Sequence, residues 1–336
     1  ATGVTGGSIV FSFLLAAVIA SLTGLSYAEL ASIYPQAEGD YIYVREAFDR
    51  AVVSDVTALG RLFMGVISSA AVALAFAGYL SPFVDLPPIP VAVVLVAATT
   101  LVNYWGIDLS TRINLVFTGI EIAGLLIVVW VGAGSWGTAP VFQAPNGLFG
   151  VVHASFLVFF AYLGFGSIVT LAEETRDAST TIPRAIVLAI GITTLLYVLV
   201  GLSAVALVDW RTLGASSSPL AAVALAGWGP VGATVLAAIA LFSTTNTVLI
   251  LQISTSRLLY GVSKAEYHVF PAVLSRVHPS RRTPHYAVAV VGVGTVPFVL
   301  LGDVGRVAGL ANLTLLVVFV LVNAALLKLR YARPQA

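Results

Sequence analysis

Apolar residues run along this 336-residue chain in long stretches, and the polar residues gather in short clusters between them. A helix that crosses a bilayer needs about 20 mostly apolar residues. The pattern predicts nine such helices, at Ser8–Tyr27, Leu59–Leu80, Val91–Tyr104, Asn114–Gly134, Val151–Ala172, Ile182–Val208, Val231–Thr255, Tyr286–Leu301 and Val304–Leu327. The third is short, with room to lengthen toward Pro88 or Ile107. The connections are short and none is low in complexity. The expectation is one membrane-embedded domain over residues 1–336, an all-α polytopic helical bundle.

Composition agrees with the pattern. Hydrophobic residues make up 59% and charged residues 9%, and the mean hydropathy is +1.01. A soluble domain has about a quarter of its residues charged, so this chain lacks the charge to cover a water-facing surface. Cysteine is absent, which removes disulfides, thiol catalysis and cysteine metal sites. No two of the four histidines stand at ligand spacing on one helix, and His153 is expected near the outer membrane face. Neither a cofactor nor a metal is expected.

Charge placement sets the orientation. Fourteen of the sixteen Lys and Arg residues lie in or beside the connections after spans one, three, five, seven and nine, and only Arg211 and Arg306 lie on the other side. The richer side is cytoplasmic by the positive-inside rule. Residue 1 is then extracellular and residue 336 cytoplasmic, in a multi-pass plasma-membrane protein. No cleavable signal precedes the first span, the chain starts at Ala1, and Met64 is its single methionine. The expectation is that an upstream segment with at least one more span precedes Ala1, and the basic Lys328–Arg333 end could equally precede further spans.

Span five carries Phe159-Phe160-Ala161-Tyr162-Leu163-Gly164-Phe165-Gly166-Ser167. Glycine weakens a helix by about 1 kcal/mol relative to alanine, and backbone freed inside a membrane is tolerated where it lines a cavity. Two readings stand here: a broken helix whose ends hold a ligand, or small residues that let helices pack closely. The cluster Glu173-Glu174-Thr175-Arg176-Asp177 follows, and Pro183 suits the first turn of the next helix. This cluster reads as a solvated loop in which Glu173 and Glu174 could also form ion pairs that hold an inner gate shut. Glu121 stands inside the fourth span, where a carboxylate is costly and is a functional candidate by default; the alternative is a position near the membrane edge. Ser243, Thr244, Thr245 and Asn246 form a polar island in span seven, suited either to ion or substrate contact or to hydrogen bonds between helices. A channel would show charge rings or a carbonyl filter, and a membrane enzyme would show a metal set or a nucleophile with its base. No such motif occurs, and no nucleic-acid partner is expected.

Several of these stretches, taken in order, resemble one family. Phe159–Ile186 resembles the sixth-helix signature of the amino acid–polyamine–organocation permeases. Tyr27-Ala28-Glu29-Leu30 with Gly39-Asp40-Tyr41-Ile42-Tyr43 resembles the end of their second helix, and Asn103-Tyr104-Trp105-Gly106 with Ser110–Asn114 resembles their fourth-to-fifth link. Ser256-Arg257-Leu258-Leu259-Tyr260 resembles the end of the eighth helix, and His278-Pro279 with Thr283-Pro284 resembles the loop after it. The resemblance implies a five-plus-five inverted repeat of the leucine-transporter type, with the nine spans matching family helices two to ten. The family's first helix, whose amides bind the substrate carboxylate, has no counterpart here. It implies a secondary transporter of amino acids working by alternating access, coupled to protons or, as the alternative, to sodium. The other readings are a permease for organic cations or polyamines, an exchanger, and a non-transporting relative or sensor. The substrate site falls on Phe160, Ala161, Leu163, Gly164, Phe165 and Gly166: the carbonyls of Phe160, Ala161 and Leu163 would hold an ammonium group, and Phe165 or Phe160 would close over the substrate. Many relatives have an acid where Gly166 stands, which favours neutral amino acids here. Coupling falls on Glu121, where some proton-coupled relatives carry lysine, with Ser243, Thr244 and Asn246. Tyr27, Glu29 and Arg257, near the inner ends of their spans, are expected to be structural or gating residues.

Overall fold

The computed structural model describes residues 1–36, 39–106, 111–264 and 270–332, with side chains described for all of these except 111–115 and 170–174. Every regular element among them is helical. Among the described residues, eight stretches are long and apolar enough to cross a membrane. The principal helices are α1 (Ile9–Ile33), α2 (Asp40–Phe48), α3 (Ala51–Leu80), α4 (Pro88–Trp105), α5 (Thr111–Gly132), α6 (Gly147–Val158), α7 (Ala178–Leu207), α8 (Pro219–Val262), α9 (His285–Val299) and α10 (Val304–Ala332). A long 3-10 helix, Phe159–Glu174, continues α6.

The predicted spans correspond one for one to these helices, with three differences. The stretch Tyr286–Leu301 forms α9, whose 15 residues rise only about 22 Å at 1.5 Å per residue. The seventh span is preceded by a helical arm: α8 holds 44 residues but is non-helical at Gly229, next to Pro230, so 219–228 and 230–262 are separate rods. The short helix α2 was not predicted, because its aromatic residues lie beside Asp40, Arg45 and Glu46 in a polar-looking stretch. It is nevertheless buried through Tyr41, Ile42, Tyr43 and Val44.

The exposed surface is apolar, as lipid contact requires: Leu22, Trp130 and Val293 are 65%, 74% and 73% exposed. Helix α3 is the central post. Its most apolar stretch is 61% buried, against 17% for the corresponding stretch of α7, and it packs on α2, α4, α8, α9 and α10. Approach to α8 depends on Gly65, where an added Cβ would lie 2.0 Å from the Thr255 hydroxyl. Small residues are how membrane helices come this close. Helix α1 packs along α7 and against the 3-10 helix, so the 3-10 helix runs inside the bundle between α1, α7 and α10.

Candidate functional site

A 3-10 helix longer than three or four residues is uncommon, yet Phe159–Glu174 holds this form for 16 residues inside the bundle. Its three-residue turn stacks every third side chain on one face. Phe159, Tyr162 and Phe165 therefore form an aromatic ridge, and all three are buried. Phe159 and Phe165 lie against Phe319, with ring centroids 6.0 and 5.4 Å away, Phe165 meets Tyr27 edge-on at 5.6 Å, and Tyr162 meets Tyr197 edge-on at 5.3 Å. Ala161 and Gly164 share a second face, which is open. Phe160, Leu163 and Gly166 share the third.

The expected ligand residues thus divide. Phe160 and Leu163 lie on one face, and Ala161 on the open one. Phe165 is locked in the aromatic ridge, and Phe160 is partly buried between two parts of the core. The Ala161 carbonyl accepts a hydrogen bond from the Tyr197 hydroxyl at 3.0 Å. Tyr197, on α7, lies within electrostatic reach of Glu121. Sequence reading missed it, although a tyrosine in the apolar run Leu195–Val200 is a detectable signal.

Glu121 projects from α5 toward α8 and is half-buried. Asn246 donates through Nδ2 to its Oε1 at 3.4 Å, and Ser243 lies beside the same carboxylate. The Oδ1 of Asn246 is buried with no hydrogen-bond partner among the described residues. Three of the four expected coupling residues therefore meet. Thr244 does not join them, because its hydroxyl donates back to the Ala240 carbonyl of its own helix at 2.6 Å. Glu173 and Glu174 end the 3-10 helix, and their side chains lie outside the described residues.

A second polar centre lies under Gly166. A small cavity of about 30 Å³ is lined there by Asp40, Arg61, Gly166, Ser167, Ser254 and Thr255, among others. Arg61 Nε and Asp40 Oδ2 are 2.6 Å apart, with side chains 9% and 7% exposed. The guanidinium Nη1 and the hydroxyl of Tyr43 are buried without hydrogen-bond partners among the described residues, and the Tyr27 hydroxyl lies beside the Asp40 carboxylate. Burial pushes the Asp40 carboxyl up from its ordinary range, and the Arg61 guanidinium pulls it back down. A Cβ built on Gly166 would sit 3.6 Å from Arg61 Nη2. Charge placement alone had put Arg61 in the cytoplasmic flank. Its side chain is buried within the bundle, as its position between Leu59-Gly60 and Leu62-Phe63 allows. Helix α8 supplies both centres: Asn246 and Ser254 are eight residues apart, about 12 Å along the axis. Glu29, nearer the surface, pairs with Arg330 of α10 through Nε–Oε1 at 2.7 Å.

The apolar helices, one of them wound off its α-helical path with polar side chains gathered around it, form a polytopic membrane bundle, and the comparisons with known proteins put it among transporters. The model of the amino acid permease family matches residues 1–336. An uncharacterized transporter of Mycobacterium tuberculosis is 31% identical over 96% of this chain and 73% of its own length. A branched-chain amino acid permease of Bacillus subtilis is 26% identical over 98% of this chain and 75% of its own. A chloroplastic cationic amino acid transporter of Arabidopsis thaliana is 26% identical over 97% of this chain and 60% of its own. The chain belongs to the amino acid permease family, within the amino acid–polyamine–organocation superfamily. It is a multi-pass membrane protein of a transporter family.

Proposed function

We propose that this protein is a proton-coupled secondary transporter that carries neutral amino acids across the plasma membrane by alternating access, as one domain built on a five-plus-five inverted repeat. The observation that carries the reading is the 16-residue 3-10 helix inside the bundle. It gives the backbone an irregular geometry, which a membrane protein tolerates where the segment is buried in protein or lines a cavity. The substrate ammonium sits against the open face of this helix, at Ala161 and Gly164, with the neighbouring carbonyls of Phe160 and Leu163 around it. The Tyr197 hydroxyl on the Ala161 carbonyl sets that group's orientation.

Neutral side chains are favoured by electrostatics. Gly166 adds no carboxylate, and the Asp40 carboxylate beneath it is already taken by Arg61, so a cationic side chain directed there finds no free acid to pair with. Glu121 is the proton carrier: when it is protonated it donates to Asn246 Oδ1, and when it is ionised it accepts from Asn246 Nδ2 and Ser243. The Arg61–Asp40 pair and the Glu173–Glu174 end of the 3-10 helix close the cytoplasmic side, with residue 1 outside.

The test is uptake of a panel of labelled amino acids into proteoliposomes with and without an inward proton gradient. The reading expects gradient-stimulated uptake of neutral amino acids and little of arginine or lysine. Arginine and lysine as the preferred substrates would overturn the neutral assignment. No uptake of any amino acid by well-folded protein would overturn the transport reading.

A further inference from the structure

The connection between α8 and α9 carries a cluster that the transport reading does not use. Residues 278–283 form a closed turn, in which the Arg282 N–H donates to the His278 carbonyl at 2.9 Å and the His278 N–H donates to the Thr283 carbonyl at 2.8 Å. The Nδ1 of His278 accepts from the backbone N–H groups of Ser280 and Arg281, both at 3.3 Å. The turn is seated on the end of α4. The Thr283 hydroxyl donates to the Tyr104 carbonyl at 3.2 Å, and the Arg281 guanidinium lies over the Tyr104 ring at 4.8 Å. Gly106 makes this seat possible: its φ is +72°, and an added Cβ would lie 3.0 Å from the Arg281 carbonyl oxygen.

The turn frames a cavity of about 340 Å³ between the end of α4, the inner part of α8 and the start of α9. The cations that carry the argument are Arg281 and Arg282, joined in the lining by the hydroxyls of Ser256, Ser280 and Thr283, and among the described residues no carboxylate lines it. The Nη1 of Arg281 is buried without an acceptor. Pro284 caps the N-terminus of the 15-residue α9 at the cavity's edge, which adds the positive end of a helix dipole. Guanidinium groups match phosphate oxygens two by two and desolvate more easily than ammonium groups.

We propose that this cavity binds a phosphate group, either the headgroup of an anionic phospholipid or free phosphate. Basic pockets between helices on the cytoplasmic side are suited to anionic headgroups, and the charge asymmetry of the chain puts this face there. The site stands apart from the 3-10 helix and does not depend on which solute is carried.

The test is thermal unfolding of the purified full chain in detergent at constant ionic strength. It is titrated with dioleoyl phosphatidylglycerol, dioleoyl phosphatidylcholine or inorganic phosphate. Arg282 is exposed, so Arg282→Glu removes the site without disturbing packing; Arg281→Gln is the second variant. Arg276→Glu, exposed in the same connection but outside the cavity, is the control for charge. Phosphatidylglycerol or inorganic phosphate should stabilise the wild type more than phosphatidylcholine does. The apparent affinity should fall about ten-fold or more in Arg282→Glu and Arg281→Gln and stay unchanged in Arg276→Glu. Stabilisation by phosphatidylglycerol alone assigns the lipid, and stabilisation by inorganic phosphate assigns the free anion. The proposal is overturned if neither probe exceeds phosphatidylcholine, or if Arg276→Glu weakens binding as much as Arg282→Glu.

Discussion

Replacing Asp40 by Asn should be among the most damaging single changes in the molecule. Its carboxylate and the Arg61 guanidinium form an ion pair with less than a tenth of either side chain exposed. Removing one partner of a buried pair costs about 3–5 kcal/mol, chiefly because the other charge stays buried alone. Arg61 cannot relieve that penalty, since arginine keeps its proton, and its Nη1 already lacks a partner. The converse change, Arg61→Met, should be milder, because Asp40 can take up a proton and become neutral. Burial already pushes that carboxyl upward, and losing the guanidinium removes the opposing influence. In Arg61→Met the native state then binds a proton that the unfolded state releases. The stability this contributes is present below the ordinary carboxylate range of about 4 and is lost as pH rises through the native value, at about 1.4 kcal/mol per unit. Arg61→Met should therefore gain stability as the assay moves from neutral toward acid pH, relative to Asp40→Asn. The assay is equilibrium unfolding in mixed micelles across pH, with Glu29→Gln as a control that breaks the more exposed pair to Arg330 and should change little. Equal small losses in Asp40→Asn and Glu29→Gln would refute the buried-pair account. A pH profile of Arg61→Met parallel to that of Asp40→Asn would refute the protonation argument.

Three further outcomes follow from the packing and the site. Gly65→Ala should destabilise by about 1–3 kcal/mol through overpacking, because its Cβ would meet Thr255; Thr255→Ala should recover most of the loss in the same unfolding assay. Tyr197→Phe removes the donor to the Ala161 carbonyl; unfolding should shift by about 1 kcal/mol or less, while the KM for uptake rises severalfold. Gly166→Asp places a carboxylate beside Arg61 and should shift competition assays toward cationic amino acids, with no shift counting against Gly166 as part of the substrate pocket.

The spans were readable because lipid asks for one simple thing, a long apolar run, and each run the chain supplies became a helix. Their ends were less readable. The arm at 219–228 and the kink at Gly229–Pro230 depend on packing that hydropathy does not encode, and α2 hides because its buried face is made of tyrosines that look polar in a sequence. The glycines of span five pointed to irregular backbone. The form it takes, a long 3-10 helix with an aromatic ridge at every third residue, required the neighbours Tyr27, Tyr197 and Phe319 to be in place. Glu121 and Asn246 could each be picked out as polar residues in apolar surroundings, and the structure brings them together. Arg61 carried the same signal, but the count of basic flanks absorbed it. Its partner Asp40 lies 21 positions away across a turn, a pairing that no local pattern contains.

The central claim is that Glu121 carries the proton that drives uptake. The direct measurement is acidification of the vesicle interior, read by a trapped pH-sensitive dye, when a neutral amino acid is added outside proteoliposomes of wild type and of Glu121→Gln. The account predicts substrate-dependent acidification in the wild type and none in Glu121→Gln, while Glu121→Gln still exchanges labelled for unlabelled substrate. Substrate-dependent acidification that persists in Glu121→Gln would contradict it.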